Sequence, residues 1–362
     1  MTVGERMLPS GVRRALLAWY HAEKRDLPWR RTRDPYAIWI SETMLQQTRV
    51  EAVIPYYERF LARFPDVGTL ATADLDDVLS AWAGLGYYTR ARNLKRAAED
   101  VVKRFAGRVP DGVDALRELP GVGRYTAGAI ASIAFDHPAP IVDGNVARVL
   151  ARLLGLREPI EGSAVKARLW EEAERLAAGP APGDLNQALM ELGARICIPR
   201  APRCDLCPVS RFCDARAAGD AESLPVRAPK RALKSVHAVA ALVLRRGKAL
   251  AVQRPAKGLL GGLWELPGGE VGAKERGPAV LERVLRDRTG LEVAKVARAG
   301  RFDWAFTHRA LRTTVYSCEA VAGRVRLDGW DRHRWVAPAA FAELPLGTVS
   351  KRALELARKS DG

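Results

Sequence analysis

Leu119-Pro120-Gly121-Val122-Gly123-Arg124-Tyr125-Thr126-Ala127 is the stretch on which the reading of this chain turns. An apolar residue, a proline and a G-x-G open a helix that runs on through Ile130 and Ile133. Two glycines let a phosphate come up to the backbone, and a helix N-terminus offers unpaired N–H groups and a favourable dipole. A G-x-G alone usually marks only a tight turn, so the surroundings have to carry the reading. They are helical. Leu16, Leu17 and Tyr20 share one face of a first helix, and Leu94, Ala97, Ala98 and Val101 mark another. Asp34-Pro35 reads as an N-cap followed by proline at the first helical position, opening a helix from Tyr36.

Downstream lie Cys197, Cys204, Cys207 and Cys213, with six, two and five residues between them; Cys318 is the only other cysteine. Thiolates bind soft metals, and a compact run of four clamps a metal centre. The spacing C-x6-C-x2-C-x5-C differs from the paired C-x2-C pattern of zinc sites. An iron–sulfur cluster and a structural zinc knot both remain readings of the spacing. A disulfide framework does not, because a chain of 362 residues can build a core without one.

The formal charge of +16 and a pI near 10.0 call for a polyanionic partner, nucleic acid first. No apolar run is long enough to span a bilayer, and Met1 to Arg14 lacks the apolar core of a signal peptide. The expected setting is a reducing compartment beside nucleic acid, with no membrane partner. The helical texture holds to about residue 214. Residues 215–235, rich in Ala, Pro and charge, read as a linker. Beyond it, Val236 to Leu244, Ala249 to Gln253 and Leu311 to Cys318 read as strands, the first two joined by a turn at Arg245-Arg246-Gly247-Lys248.

Two carboxylates stand out in the helical region. Glu42 lies on a helix that is apolar nearly all round and therefore buried. Desolvation there raises a carboxyl pKa towards the range of a general acid. A structural glutamate paired with Arg30 or Arg49 is the plainer alternative. Asp143 follows Ile141-Val142 and precedes a helix marked by Val146, Val149, Leu150 and Leu153, so it reads as an N-cap. Backbone N–H groups that hold it ionised would also leave it facing a developing cation.

The hairpin string, Trp39-Ile40-Ser41-Glu42 with Met44-Leu45-Gln46-Gln47-Thr48, Val142-Asp143-Gly144-Asn145-Val146, Asn186-Gln187-Ala188-Leu189-Met190-Glu191-Leu192-Gly193 and the four cysteines occur in one order. In that order and over nearly its whole length, the chain resembles the adenine DNA glycosylases of the MutY type, within the helix-hairpin-helix or endonuclease III superfamily. The resemblance implies an all-α glycosylase domain over 1–214. It would combine a six-helix module at about 30–135 with a cluster module built from the N-terminal helix and 136–214, holding a [4Fe–4S] cluster on Cys197, Cys204, Cys207 and Cys213.

It also implies roles. Glu42 would protonate adenine N7. Asp143, with Asn145 beside it, would stabilise an oxocarbenium-like sugar, directly or through a transient covalent bond; this is the two-carboxylate logic of glycoside hydrolysis. Superfamily members that also cleave the strand carry a nucleophilic lysine where this chain has Tyr125, so the chain is expected to be monofunctional. Tyr125 is placed to contact the sugar or Asp143. Trp29, Arg30 and Gln187 match the adenine pocket, and Gln46-Gln47 the wedge, Gln47 entering the stack beside the opposing base as the target flips out, with Thr48 next to it as a further substrate-binding candidate. Leu85 and Tyr87 match positions at the widowed pair. Gly121 and Gly123 would hold phosphates; Arg200 and Arg203 would do so too, unless they are plain solvated loop charge.

Leu263-Trp264-Glu265-Leu266-Pro267-Gly268-Gly269-Glu270 resembles the entry to a Nudix box, and Gly269, Glu275, Arg283, Gly290 and Leu291 fit its continuation. The box's three clustered glutamates fall on Val284, Asp287 and Arg288, so metal-dependent diphosphate cleavage is not expected. The chain therefore reads as multidomain, with an α+β Nudix-like domain over 236–362. In the resembled family that domain recognises 8-oxoguanine through a Phe-Ser-His loop, here Phe306-Thr307-His308. The expected partner is duplex DNA carrying adenine opposite 8-oxoguanine or guanine. The expected protein is a cytoplasmic, nucleoid-associated monomer that leaves an abasic site in base excision repair.

Overall fold

A computed structural model describes residues 7–229, 233–256, 258, 260–272, 274–275, 277–306 and 309–359. The helices before the first strand are α1 (Ser10–Glu23), α2 (Pro35–Leu45), α3 (Val50–Arg63), α4 (Val67–Thr72), α5 (Leu75–Trp82), α6 (Thr89–Phe105), α7 (Val113–Arg117), α8 (Arg124–Phe135), α9 (Gly144–Leu153), α10 (Ser163–Ala177), α11 (Pro182–Arg195) and the single turn α12 (Asp214–Ala217). By contact density the chain forms two units. One comprises Met1–Thr72 and Asn93–Lys230, the other Ala73–Arg92 and Arg231–Gly362.

In the helical unit α2 is the buried centre. Every residue from Tyr36 to Met44 is buried. Asp34 caps it, its two carboxylate oxygens accepting from Tyr36 N at 3.1 Å and Ala37 N at 3.2 Å, with Pro35 at the first position. Such a cap stabilises a helix by about 1 kcal/mol. Leu16 and Tyr20 of α1 pack with Val146, Val149, Leu150 and Leu153 of α9 and with Leu185, Leu189 and Leu192 of α11. Each fully buried Leu or Val stabilises by about 1.5–3 kcal/mol. The apolar spacing of α9 thus fixes its N-terminus, and with it Asp143, against α11. Their closeness depends on Gly193, where a Cβ would sit 2.6 Å from Asn145 Cβ.

The stretch read as a linker is bonded to this unit over its first part. Leu224 is buried, its carbonyl accepts from Arg152 Nε at 2.9 Å, and Val226 O accepts from Ile160 N at 2.9 Å.

The second unit is built on β1 (Lys234–Arg245), β2 (Lys248–Gln253), β3 (Trp264–Glu265), β4 (Gly268–Val271), β5 (Glu292–Ala305), β6 (Arg309–Ala322) and β7 (Arg332–Val336), with α13 (Pro278–Thr289), α14 (Pro338–Phe341) and α15 (Thr348–Lys359). The sheet runs β3-β2-β1-β6-β5, β4 also pairing with β1 and β7 with β2; β1 and β6 are parallel and the other pairs antiparallel. Arg246 and Gly247 both have positive φ, as a two-residue hairpin between right-twisted strands requires. Alternation along β1 sends Val239, Ala241 and Val243 towards Leu281 and Leu285 of α13, and Leu242 towards Phe341 and Leu354 on the other face. The unit is a mixed sheet covered on both faces. Among the described residues no helix is long and apolar enough to cross a membrane.

Candidate active site

A cavity of about 400 Å³ opens between α2, α8, the start of α9 and α11, with the short 3-10 turn Pro28–Arg30 at its edge. Glu42 comes from α2 and is 4% exposed. Tyr125, on the first turn of α8, donates from its hydroxyl to Glu42 Oε2 at 2.6 Å and lies 3.1 Å from Met190 Sδ. Burial pushes the Glu42 carboxyl up from 4.5 to about 7. The Tyr125 hydrogen bond and Arg30 pull it back, and Asp143 pushes it further. The Tyr125 hydroxyl is itself driven well above its usual range, by burial and then by the charges of Glu42 and Asp143. The pairing of Glu42 with Arg30 or Arg49 that the sequence allowed is absent among the described hydrogen bonds, because Arg30 bonds elsewhere. Tyr125 meets Glu42 by hydrogen bond and is acted on by the charge of Asp143.

Asp143 is the N-cap of α9. Its Oδ1 accepts from Val146 N at 2.7 Å and its Oδ2 from Asn145 Nδ2 at 3.3 Å. Asn145 Oδ1 in turn accepts from Arg148 Nη2 at 2.9 Å. N–H donors bond Asp143 as expected, but they do not set the direction of its shift. Burial outweighs the Val146 and Asn145 hydrogen bonds and the nearby Arg148, and the carboxyl is raised above its ordinary value. The cap is present, but its oxygens have lost more water than two N–H groups replace.

Trp29, Arg30, Gln47, Thr48 and Gln187 also line the cavity, as the sequence grouped them. Trp29 is buried and meets Tyr57 edge-on, with centroids 5.4 Å apart. Gln47 is exposed and left-handed, φ 59°, just past the end of α2, and Thr48 Oγ1 donates to Gln46 O at 3.4 Å. Three further residues were not singled out. Glu191 has no exposed side-chain surface and accepts from Arg30 Nη2 at 2.9 Å and from Arg25 Nε and Nη2 at 2.9 and 2.8 Å. Burial alone would raise its pKa, but those two arginines hold it down at about 2. Glu191, Arg25 and Met190 had a legible signal in part. Met190 and Glu191 stand three and four residues after Gln187, on the same helical face.

Other assigned residues lie apart from this cavity wall. Leu85 and Tyr87 group with the second unit, where Leu85 is buried and Tyr87 is half exposed with φ 48°. Gly121 and Gly123 lie exposed in the hairpin turn before α8. Gly121 has φ 79°, and a Cβ there would meet Asn93 at 2.7 Å, so only glycine fits. Arg200 and Arg203 are exposed on the first cysteine loop. Phe306 lies at the end of β5, its N–H donating to Arg309 O at 2.8 Å; Thr307 and His308 fall outside the described residues.

Cys197, Cys204, Cys207 and Cys213 are free thiols that line one small cavity, with Val149, Leu192 and Arg152. Arg152 is 1% exposed. It donates from Nη1 to Cys197 Sγ at 3.3 Å and to Ile198 O at 2.8 Å, while Arg148 Nε donates to Cys197 O at 2.8 Å. Burial pushes Cys207 up to about 11 and raises Cys213, so these thiols stay protonated unless a cation replaces the proton. Among the described residues no three His, Cys, Asp or Glu side chains converge as ligands of one ion. Four thiols around one cavity are the donor set that a thiolate-bound metal centre would require.

The second unit has its own cavity, about 700 Å³, lined in part by the Nudix-box positions. Val284, a residue of α13, is buried in the core with Val239 and Ala241 of β1. Arg288 Nη1 donates to Gly268 O at 2.6 Å, and its guanidinium lies 3.9 Å over Trp330. Glu265 accepts from Arg254 at 3.0 Å and from Trp330 Nε1 at 2.7 Å, Glu270 pairs with Arg309 at 3.0 Å, and Glu275 with Arg283.

A family model described as HhH-GPD superfamily base excision DNA repair protein matches residues 40–175, and one described as NUDIX domain matches residues 238–356. The chain is 36% identical to the adenine DNA glycosylase of Rattus norvegicus, over 94% of this chain and 76% of that protein. It is 37% identical to that of Homo sapiens, over 94% and 72%. Among solved structures it is similar to a thermostable thymine-DNA glycosylase, 32% identical with a TM-score of 0.52, covering 57% of this chain and 96% of that one.

Proposed function

Because the chain belongs to the adenine DNA glycosylases, hydrolases of N-glycosyl bonds that act in base excision repair, we propose that it removes adenine paired with 8-oxoguanine or guanine in duplex DNA and leaves an abasic site. The observation that carries this reading is the Tyr125–Glu42 hydrogen bond, set in a cavity that also takes in Asp143. Tyr125 occupies Glu42 Oε2, which leaves Oε1 to hold the proton. An acid with a pKa of about 7 is half protonated at neutral pH and can give that proton to N7 of a flipped adenine. Protonation turns the base into a neutral leaving group. Positive charge then grows on the sugar, and Asp143, short of solvating partners, faces it at close range. Water completes the hydrolysis. Tyr125 stands where a lyase would need an amine, so the strand stays intact.

The remaining assignments belong to the same proposal. Trp29, Arg30 and Gln187 hold the base, and Gln47 fills the stack. Gly121, Gly123, Arg200 and Arg203 meet phosphates, and Phe306, Thr307 and His308 read the opposite 8-oxoguanine. Cys197, Cys204, Cys207 and Cys213 would hold a [4Fe–4S] cluster, which supplies a brace for the loop that carries Arg200 and Arg203. The enzyme works as a monomer on the chromosome in the cytoplasm. The test is single-turnover incubation with duplex carrying adenine opposite 8-oxoguanine, with strand cleavage scored before and after hot alkali. Adenine release with cleavage only after alkali is expected. Cleavage without alkali overturns the monofunctional reading, and no release from cluster-loaded protein overturns the substrate.

A further inference from the structure

We infer that Glu191 is the counter-charge that keeps Glu42 protonated, by neutralising the two arginines that share its cavity. The inference rests on reading Glu42 as the proton donor and adds what sustains its charge state. Five charged or titratable side chains besides Tyr125 line the cavity: Arg25 from the loop after α1, Arg30 from the 3-10 turn, Glu42 from α2, Asp143 before α9 and Glu191 from α11. With Asp143 and Glu191 ionised, two negative charges meet two positive ones, and the wall is balanced only when Glu42 is neutral. Arg148, bonded to Asn145, and Arg195, 3.8 Å from Glu191 Oε1, stand behind this set.

Glu191 takes the hydrogen-bonded pairing of both arginines; the exposed Glu51 stands 3.8 Å from Arg25 Nη1 as a second, weaker partner. Glu191 Oε2 takes both Arg30 Nη2 at 2.9 Å and Arg25 Nη2 at 2.8 Å, and its Oε1 takes Arg25 Nε at 2.9 Å and Arg25 N at 3.2 Å. Arg30's other amino group is turned away to Arg25 O at 3.0 Å, and its guanidinium lies 5.3 Å over the Tyr20 ring. Glu42 is left with a phenol as its hydrogen-bond partner. Remove the charge of Glu191, and Arg30 loses its bonded counter-ion while Arg25 keeps only the exposed Glu51. Arg30 is the cation whose charge already acts on Glu42, and once unpaired it favours Glu42 losing the proton that the reaction needs.

The test is the rate of single-turnover adenine release from about pH 5 to about pH 9 for wild type, Glu191→Gln, Glu191→Asp and Arg25→Gln. In wild type the rate should fall as pH rises through about 7. In Glu191→Gln that fall should begin about one pH unit lower, so that the rate is roughly tenfold below wild type on the alkaline side and converges with it in acid. Glu191→Asp keeps the charge and should keep the midpoint. Arg25→Gln removes a positive charge from a side chain 30% exposed and should move the midpoint up. Opposite shifts from the two neutralising variants are not a consequence of loosened packing. A Glu191→Gln profile lowered equally at every pH, with its midpoint unmoved, overturns the inference. If that variant does not fold, an unmoved midpoint in Arg25→Gln overturns it instead. A wild-type profile with no fall removes the proton-donor reading itself; a wild-type fall with unmoved variants removes only the role of Glu191.

Discussion

The two cavities of this chain are both lined by carboxylates and arginines, yet they use them in opposite ways. In the second unit three acids each have a cation: Glu265 with Arg254, Glu270 with Arg309, Glu275 with Arg283. Arg288 and Val284 stand where a Nudix box has glutamates, one bonded to Gly268 and stacked on Trp330, the other in the core. In the helical unit Glu42 has a phenol as its hydrogen-bond partner, and its pKa lies at about 7. Glu191 is the control inside that same cavity. Its side chain is likewise closed to solvent, but it is bonded to Arg25 and Arg30, and it lies at about 2. Burial does not make an acid; burial without a directly bonded cation does.

The comparison breaks first if Glu42 is dispensable. Glu42→Gln should lower single-turnover adenine release by about 10²–10⁴-fold, the usual worth of a positioned general acid; an unchanged rate would remove the reading. The same contrast has a thermodynamic form, measurable by denaturant unfolding at several pH values. The folded pKa of Glu191 is depressed from 4.5 to about 2, so its contribution is present above about 4.5 and is lost as pH falls towards about 2. Glu191→Gln should therefore cost about 3 kcal/mol at neutral pH and flatten that acid limb. Glu42 has the reverse sign. Its folded pKa is raised from 4.5 to about 7, so stability falls as pH rises through that window, and Glu42→Gln should remove the fall.

In the second unit, Val284→Glu restores a carboxylate of the Nudix pattern but buries it in an apolar core. It should cost about 3 kcal/mol in the unit's unfolding and confer no release of pyrophosphate from 8-oxo-dGTP. Arg288→Ala should cost about 1–2 kcal/mol by loss of its carbonyl hydrogen bonds and its stacking on Trp330, with adenine release unchanged. The smallest effect expected is for Arg200→Ala, which should reduce the slope of log affinity against log salt by about one and leave the cleavage rate at saturation alone.

What was legible in the sequence follows from how local each feature is. Asp34 and Asp143 as caps, the Arg246-Gly247 turn and the all-round apolar character of α2 are decided within a few residues, and each appears in the structure as read. The burial of Glu42 follows directly from the last of these. What could not be read is pairing across the fold. Glu191 and Arg25 are separated by 166 residues, and Tyr125 and Glu42 by 83. The direction of the Asp143 shift is hidden for a related reason. Sequence shows the two N–H donors that lower it but not the depth of packing that outweighs them. Residues 215–235 read as a linker by composition, yet Leu224 is anchored by Arg152, a contact only the folded chain reveals.

The most direct test of the account is the pH dependence of wild-type adenine release, measured in single turnover on duplex with adenine opposite 8-oxoguanine. The account predicts a rate that is half lost near pH 7 and falls about tenfold for each further pH unit, as Glu42 gives up its proton. A rate that stays level to about pH 9 would contradict it, since a buried acid that titrates near neutrality could not then be the proton donor.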